Sequence, residues 1–362
     1  MRIAIVHDYL NQFGGAERVV SALNEIWPQT PIYTSIFDEK RMPENFQRMD
    51  IRTSFMQRLP FVFRFFKLYL LFYPLAFESF DLSGYDVILS SSSAFAKGIR
   101  KRPGQLHICY CYTPMRFVWR HDDYVKQESF GSLVKAILLW VLEPLKKWDL
   151  ATAQSVDHYL AISRTVAERI AVTYGRKSDI IYPPVDTENY EISSIARDYF
   201  LVVSRLNAYK RIDVVIEAFN ELGLPLKIIG SGPAARELQR IAKPNIEFLG
   251  RQPDDVLAQH YSECRALIFP GEEDFGIVPV EAMASGRPVI AYKAGGATET
   301  IIDGKTGIFF KEQTPASLIS AIKRFQFEVF NQQEIREHAL KFSKGIFMRR
   351  LSDFVEQKLK GA

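Results

Sequence analysis

Cysteine is scarce: Cys109, Cys111 and Cys264 are the only three in 362 residues. Three thiols are too few for a disulfide framework or a structural zinc site, so a reducing, cytoplasmic setting is expected. An excess of one charge is also missing. Lys and Arg number 46 against 42 Asp and Glu, for a net charge of +4. That balance is too even for a nucleic-acid-coating protein, though it favours anionic ligands such as phosphates or acidic lipid. No stretch reaches 18 clean apolar residues, so no transmembrane helix is expected. The opening Met1 to His7 reads as a strand rather than a signal peptide. There is no internal repeat, no low-complexity tract and no Asp-x-Asp pair. Collagen, coiled coil, secreted mini-scaffold and polytopic transporter are all excluded. The remainder is ordinary globular composition, 47% hydrophobic and 24% charged, long enough for two domains.

Short apolar runs alternate with helical patterns. In the first half the runs are Ile3–Val6, Val87–Leu89, Ile108–Tyr110 and Tyr159–Ile162. In the second they are Phe200–Val203, Leu226–Ile229, Ile246–Leu249, Ala266–Phe269 and Val289–Ala291. They are unalternated and rich in β-branched residues, as strands buried on both faces should be. Period-3.6 patterns such as Arg211 to Leu222 and Pro279 to Ala284 lie between them. Strand–helix–strand repetition predicts two doubly wound, Rossmann-like parallel-sheet domains facing a deep cleft. The proline-bearing stretch 183–198 reads as the linker. The expected domains are residues 1–185 and 186–343, with a last helix over 344–362 packing back on the first.

Several segments carry candidate chemistry. Gly14 and Gly15 follow the first strand and open a helix, a place where backbone N–H groups can meet an anion. Arg205 and Lys210 follow the strand Phe200–Val203, where a diphosphate could find fixed positive charge. A basic helix start opposes the helix dipole, so compensation is expected there. Glu273 and Glu281 stand eight positions apart around Phe275, Gly276, Ile277 and Val278. A helix is predicted to begin near Val278 or Pro279, with Glu281 in its first turn and the N–H groups of Gly276–Val278 free for an oxyanion. Two carboxylates there can accept bonds from sugar or ribose hydroxyls. Gly230-Ser-Gly-Pro-Ala-Ala235 fits the G-x-G-x-x-A dinucleotide pattern, but in mid-domain it reads as a tight strand–helix turn near the ligand. Arg251, just past the Ile246–Leu249 run, joins the donor-binding set. Tyr112, Thr113 and Arg116 sit at another strand end. His121 with Asp122 is a possible base with its orienter. Leu59 to Phe77 holds six Phe and two Tyr with only Arg64 and Lys67 charged. It reads as buried packing or as an interfacial helix on an anionic membrane surface.

Taken together these motifs resemble the GT-B family of retaining glycosyltransferases (glycosyltransferase group 1), over nearly the whole chain. Gly14-Gly-Ala-Glu17 is similar to its N-terminal glycine loop, and Arg205 with Lys210 to its diphosphate-binding pair. Glu273 and Glu281 match its E-x7-E motif, continued by Glu281-Ala-Met-Ala-Ser-Gly-Arg-Pro-Val-Ile290. The Tyr112-Thr-Pro-Met-Arg-Phe-Val-Trp119 run is similar to a subgroup building bacterial surface polysaccharides. The resemblance implies transfer of a hexose, first from UDP-glucose, with GDP-mannose as the alternative, to a glycan or lipid-linked hydroxyl. It implies retention of configuration and no metal or other cofactor. It places Glu281 on the ribose and Glu273 on the donor sugar. Many members have a donor-sugar histidine where this chain has Tyr112, and His121 is the substitute candidate. An NDP-sugar epimerase or a non-catalytic nucleotide-binding protein is the competing expectation.

Overall fold

A computed structural model describes residues 2–119 and 132–361, with backbone alone for 132–141. His121 and Asp122 lie outside the described residues. The chain divides into two compact units: residues 1–184 with 347–362, and residues 185–346.

The first unit is built on a seven-stranded sheet. Its strands are β1 (Ile3–His7), β2 (Ile32–Thr34), β3 (Ile51–Thr53), β4 (Val87–Ser92), β5 (Leu106–Cys111), β6 (His158–Ala161) and β7 (Ser178–Ile180). Their spatial order is β3-β2-β1-β4-β5-β6-β7, and every pair is parallel. The second unit carries β8 (Phe200–Val203), β9 (Leu226–Ile229), β10 (Ile246–Gly250), β11 (Leu267–Phe269), β12 (Val289–Tyr292) and β13 (Gly307–Phe310). Their order is β10-β9-β8-β11-β12-β13, again all parallel. Parallel neighbours need crossovers, and the helices that supply them cover the sheet faces.

Burial explains which strands form. Every residue of β1, β4 and β5 is buried. In the second unit Phe200, Val202, Ile228, Ile268 and Ile290 form one core with Val215, Phe219 and Ile322 from the flanking helices. Helix ends follow local rules. Ser163 Oγ accepts from the N–H of Val166 (3.1 Å) to start the Arg164–Tyr174 helix, and Gly175 ends it in the left-handed region.

Strand order reverses between β1 and β4 in the first sheet, and between β8 and β11 in the second. At such switch points adjacent loops diverge beyond the carboxyl ends of the strands and leave room for a ligand.

Candidate functional site

In the second unit the loops after β8 and β11 flank the switch point, and a charge pair joins them. The Lys210 ammonium donates to Glu273 Oε1. Lys210 ends a short 3-10 turn (Ala208–Lys210) and is buried, with its Nζ 5.1 Å from the Tyr209 ring centre. Arg211 next takes a left-handed conformation, φ +55°, before the Ile212–Leu222 helix. A non-glycine residue there carries strain. The Arg211 guanidinium donates to Asp213 in the first helical turn (3.3 Å), which supplies the compensation a basic helix start needs. It also donates to the Gln313 carbonyl (3.4 Å), and the Gln313 amide donates to Pro270 O (2.8 Å). The turn after β8 is thereby stitched to the loop after β11.

Two glycine pairs set the backbone around this charge pair. Gly230 has φ +138°, and a Cβ there would lie 1.8 Å from Ser204 O. At Gly232 a Cβ would lie 2.4 Å from Leu206 O. The Leu206 N–H donates to Ser231 O, and the Ala234 N–H to Leu206 O, both at 3.0 Å. The glycine-rich turn therefore grips the Arg205 loop, and its close approach is backbone to backbone. Gly295 and Gly296, after β12, do the same for Glu273. The Gly296 N–H donates to Glu273 O (2.8 Å), and a Cβ on Gly296 would lie 2.3 Å from Phe275 Cα.

The helix after Glu273 spans Ile277–Ala284, one to two residues earlier than the sequence suggests. Gly276 caps it with φ +85°. Its first N–H groups, on Ile277 and Val278, have no intrahelical acceptor, and Pro279 brings none. Glu281 is consequently in the second turn rather than the first. It is buried, 4% exposed, and its Oε2 accepts from the Tyr261 hydroxyl (2.8 Å). The Phe275 ring is buried, with its centre 5.8 Å from that of Phe342. Arg205 and Arg251 are exposed and make no ion pair among the described residues.

The switch point of the first unit is filled by a buried polar network. The Asp8 carboxylate accepts five hydrogen bonds: from the N–H of Ser93, Ala94, Phe95 and Ala96 and from Ser93 Oγ, at 2.6–3.0 Å. His7 Nδ1 is 3.0 Å from Ser91 Oγ, and its Nε2 is 3.8 Å from Glu17 Oε1. Tyr112 Oη is 2.7 Å from Ser91 Oγ and donates to Ala16 O (3.0 Å). Burial pushes the Tyr112 hydroxyl well above the ordinary phenol range. Both bonding directions of Tyr112 are thus taken within the unit. Gly14 caps the Gly15–Ile26 helix in an extended conformation, with no side-chain cap. Arg116 opens the short Arg116–Trp119 helix and is half-buried.

Residues 190–340 match the family described as Glycosyl transferases group 1, and residues 13–189 match Glycosyltransferase Family 4. The two matches run back to back through both units. The chain belongs to the group 1 glycosyltransferases.

Relatives of this glycosyltransferase chain span several organisms. The uncharacterized glycosyltransferase MJ1178 of Methanocaldococcus jannaschii is 31% identical over 205 residues, 54% of this chain and 56% of its own. O-antigen chain mannosyltransferase C of Escherichia coli is 24% identical over 230 residues, 59% of each chain. A GDP-mannose-dependent phosphatidylinositol monomannoside mannosyltransferase of Mycolicibacterium smegmatis is 31% identical over 201 residues, 46% of this chain and 53% of its own. The match thus spans less than two thirds of the length of these curated relatives. Sucrose-phosphate synthase of Thermosynechococcus elongatus superposes with a TM-score of 0.80 at 18% identity, covering 100% of both chains. Anabaena HepE, solved with UDP-glucose, superposes at 0.71 and 16% identity, covering 99% of this chain and 100% of its own. At such identities the likeness is one of fold, and the fold is GT-B.

Within the second unit, Lys210 and Glu273 are in direct contact, and the Gly230 turn braces the Arg205 loop. Gly295 and Gly296 belong to none of the sequence motifs, although a glycine pair just past the buried strand Val289–Tyr292 is a signal of close backbone approach. The sequence alone gives no role to His7, Asp8, Glu17 or Ser91.

Proposed function

We propose that the chain is a retaining hexosyltransferase, moving a hexose from a nucleoside diphosphate sugar to a glycan or lipid-linked hydroxyl in polysaccharide biosynthesis. The observation that carries this reading is the Lys210–Glu273 pair at the switch point of the second sheet, ahead of the helix start at Ile277. The second unit takes the donor and the first the acceptor. The bond from the anomeric carbon to the diphosphate breaks, and its electrons leave with the phosphate. A bond to the acceptor oxygen forms on the same face, and the acceptor proton passes to the departing phosphate oxygen. Negative charge then grows beside Arg205, Lys210 and the Ile277 and Val278 amides; the buried Lys210 and the two amides are held in place in advance and so stabilise it. Glu273 accepts a bond from a donor-sugar hydroxyl and positions the anomeric carbon. Glu281, oriented by Tyr261, takes the ribose. No Asp-x-Asp pair is available to hold a divalent ion, so side chains and amides replace the metal.

UDP-glucose is the donor we assign first, in line with the ligand of the HepE structure. GDP-mannose has its own support, since the M. smegmatis relative that uses it is the more similar in sequence. A thermal-shift panel of UDP, GDP, ADP and TDP sugars tests the reading, because a ligand that binds only the folded state raises the melting temperature. A shift with UDP-glucose, followed by glycosyl transfer that survives EDTA, is the expected result. A shift with GDP-mannose alone moves the donor to mannose. No shift with any of them overturns the reading, and loss with EDTA restored by magnesium or manganese overturns its metal-free part.

A further inference from the structure

The donor site leaves one sequence feature unabsorbed, the phenylalanine-rich segment before Phe77. In the structure it is anchored and exposed at once. Val62, Tyr73, Ala76 and Phe77 join the core of the first unit, and Tyr73 stacks on Phe95 with ring centres 4.4 Å apart. It is not one helix. The chain breaks into Val62–Phe65, Phe66–Tyr69 and Phe72–Glu78.

Alongside the anchored residues, Phe61 is 77% exposed, Leu68 79% and Leu75 60%. Phe65, Leu71 and Phe72 are exposed in the same segment. Single exposed apolar residues are normal, but a run of six within fifteen positions is a surface feature that needs a partner.

Charge identifies the partner. Between Ile51 and Phe77 there are four basic residues, Arg52, Arg58, Arg64 and Lys67, and no acidic one. Arg52 is paired with Asp50. Arg58, Arg64 and Lys67 are exposed and make no ion pair among the described residues. Arg64 lies 5.3 Å from the Phe65 ring centre, and Lys67 Nζ lies 5.9 Å from that of Phe66. Each cation thus sits over apolar surface with its charge still in water, the arrangement that long basic side chains take at an interface. No helix among the described residues is long and apolar enough to cross a membrane.

We propose that this face docks on an anionic lipid surface. Phe61, Leu68 and Leu75 enter the boundary between headgroups and acyl chains, while Arg58, Arg64 and Lys67 meet the lipid anions. An apolar stripe alone would suit a second copy of the chain equally well. Three unopposed cations around it would repel that copy and attract acidic lipid.

The test is co-sedimentation of the full chain with vesicles of phosphatidylcholine alone, or with about 30% phosphatidylglycerol, at about 0.05 M and about 0.5 M salt. Wild type binds the anionic vesicles at low salt and is weakened at high salt. Phe61→Ser with Leu68→Ser lowers the partition coefficient about tenfold or more. Both side chains are largely in solvent, so the melting temperature stays at the wild-type value and separates lost docking from lost folding. Arg64→Glu with Lys67→Glu weakens binding more than tenfold at low salt, since each cation near such a surface contributes about fivefold. Equal binding to both vesicle types overturns the anionic assignment, and no binding to either overturns the docking face. A concentration-dependent dimer that vanishes in the Phe61→Ser, Leu68→Ser variant, without vesicle binding, assigns the face to a second copy instead.

Discussion

At the switch point of the first sheet, a carboxylate (Asp8), an imidazole (His7) and a phenol (Tyr112) find their partners inside the unit. At the same place in the second sheet, Lys210 and Glu273 neutralise each other, and Arg205 projects into solvent. Similar topology therefore carries two kinds of polar group. A network satisfied from within fixes its loops and contributes to stability. Charges left partly in solvent retain free energy for a ligand. The two sites should accordingly fail differently: changes in the first should show in unfolding, and changes in the second in nucleotide binding and turnover.

The largest effect is expected at Asp8. Its carboxylate holds four consecutive backbone N–H groups, and charged hydrogen bonds contribute about 1.5–3 kcal/mol each without being additive. Asp8→Asn removes the charge and turns an NH2 group toward donors. Urea unfolding should show a loss of about 3 kcal/mol, with nucleotide affinity in the surviving folded protein close to wild type. Unchanged stability with lost nucleotide binding would reverse the contrast between the two sites.

Lys210→Ala comes next. It removes a cation from the leaving group and leaves Glu273 uncompensated, and losing one partner of a buried charge pair costs about 2–5 kcal/mol. Turnover should fall about a hundredfold, equal to about 2.7 kcal/mol, and Arg205→Ala, at an exposed position, about tenfold. Steady-state kinetics with the donor found in the thermal-shift panel measures both. Wild-type turnover in Lys210→Ala would remove the lysine from the chemistry.

A pH effect belongs to the first unit. His107 on β5 is fully buried, with Nε2 2.8 Å from Ser90 Oγ, and burial pushes its pKa from 6.5 down to about 3. The unfolded chain takes up this proton as pH falls through about 6.5, and the folded chain does not until about 3. Stability is therefore fully present above the unfolded value and falls by up to about 1.36 kcal/mol per pH unit below it. His107→Gln should remove that component of the slope between pH 7.5 and 5, whatever it does to stability itself, and an equal slope in both proteins would contradict the assignment.

Legibility in the sequence followed burial. The strand runs Phe200–Val203 and Leu226–Ile229 appear at those limits in the structure because nearly every position faces the core. The strands β2, β3 and β7 do not stand out in the sequence. Each has three residues, and Arg52, Thr53, Ser178 and Asp179 dilute the apolar signal. β13 begins with Gly307, where a Cβ would lie 2.1 Å from Val289 O. The stretch from Glu273 to Glu281 is legible as a motif because its spacing is local. The first network is not, because His7 and Asp8 meet partners 84–88 positions away through the β1–β4 register. The Gly230 pattern was legible as a tight turn, but its closest contact, Ser204 O, is visible only once β8 and β9 lie side by side.

The smallest expected effect is the sharpest test of the contrast, because the geometry changes its sign. The family resemblance places Glu273 on the donor sugar, and on that footing Glu273→Gln should leave binding of free UDP nearly unchanged. In the structure Glu273 is the counter-ion of Lys210. A diphosphate arriving at Lys210 competes with that carboxylate, and removing its charge gives the whole cation to the phosphates. Glu273→Gln should therefore tighten free UDP by about fivefold, equal to about 1 kcal/mol, a modest gain because the pair is only partly buried and salt screens it. Turnover should still fall, because a neutral amide is a weaker acceptor for the donor-sugar hydroxyl and diphosphate release becomes slower. Titration calorimetry with UDP at low and high salt separates the possibilities. Tighter binding that fades with salt identifies Glu273 as a counter-ion that the donor must displace. Weaker binding would mean that the carboxylate positions Lys210 for the phosphates, so that the pair acts as one preformed seat.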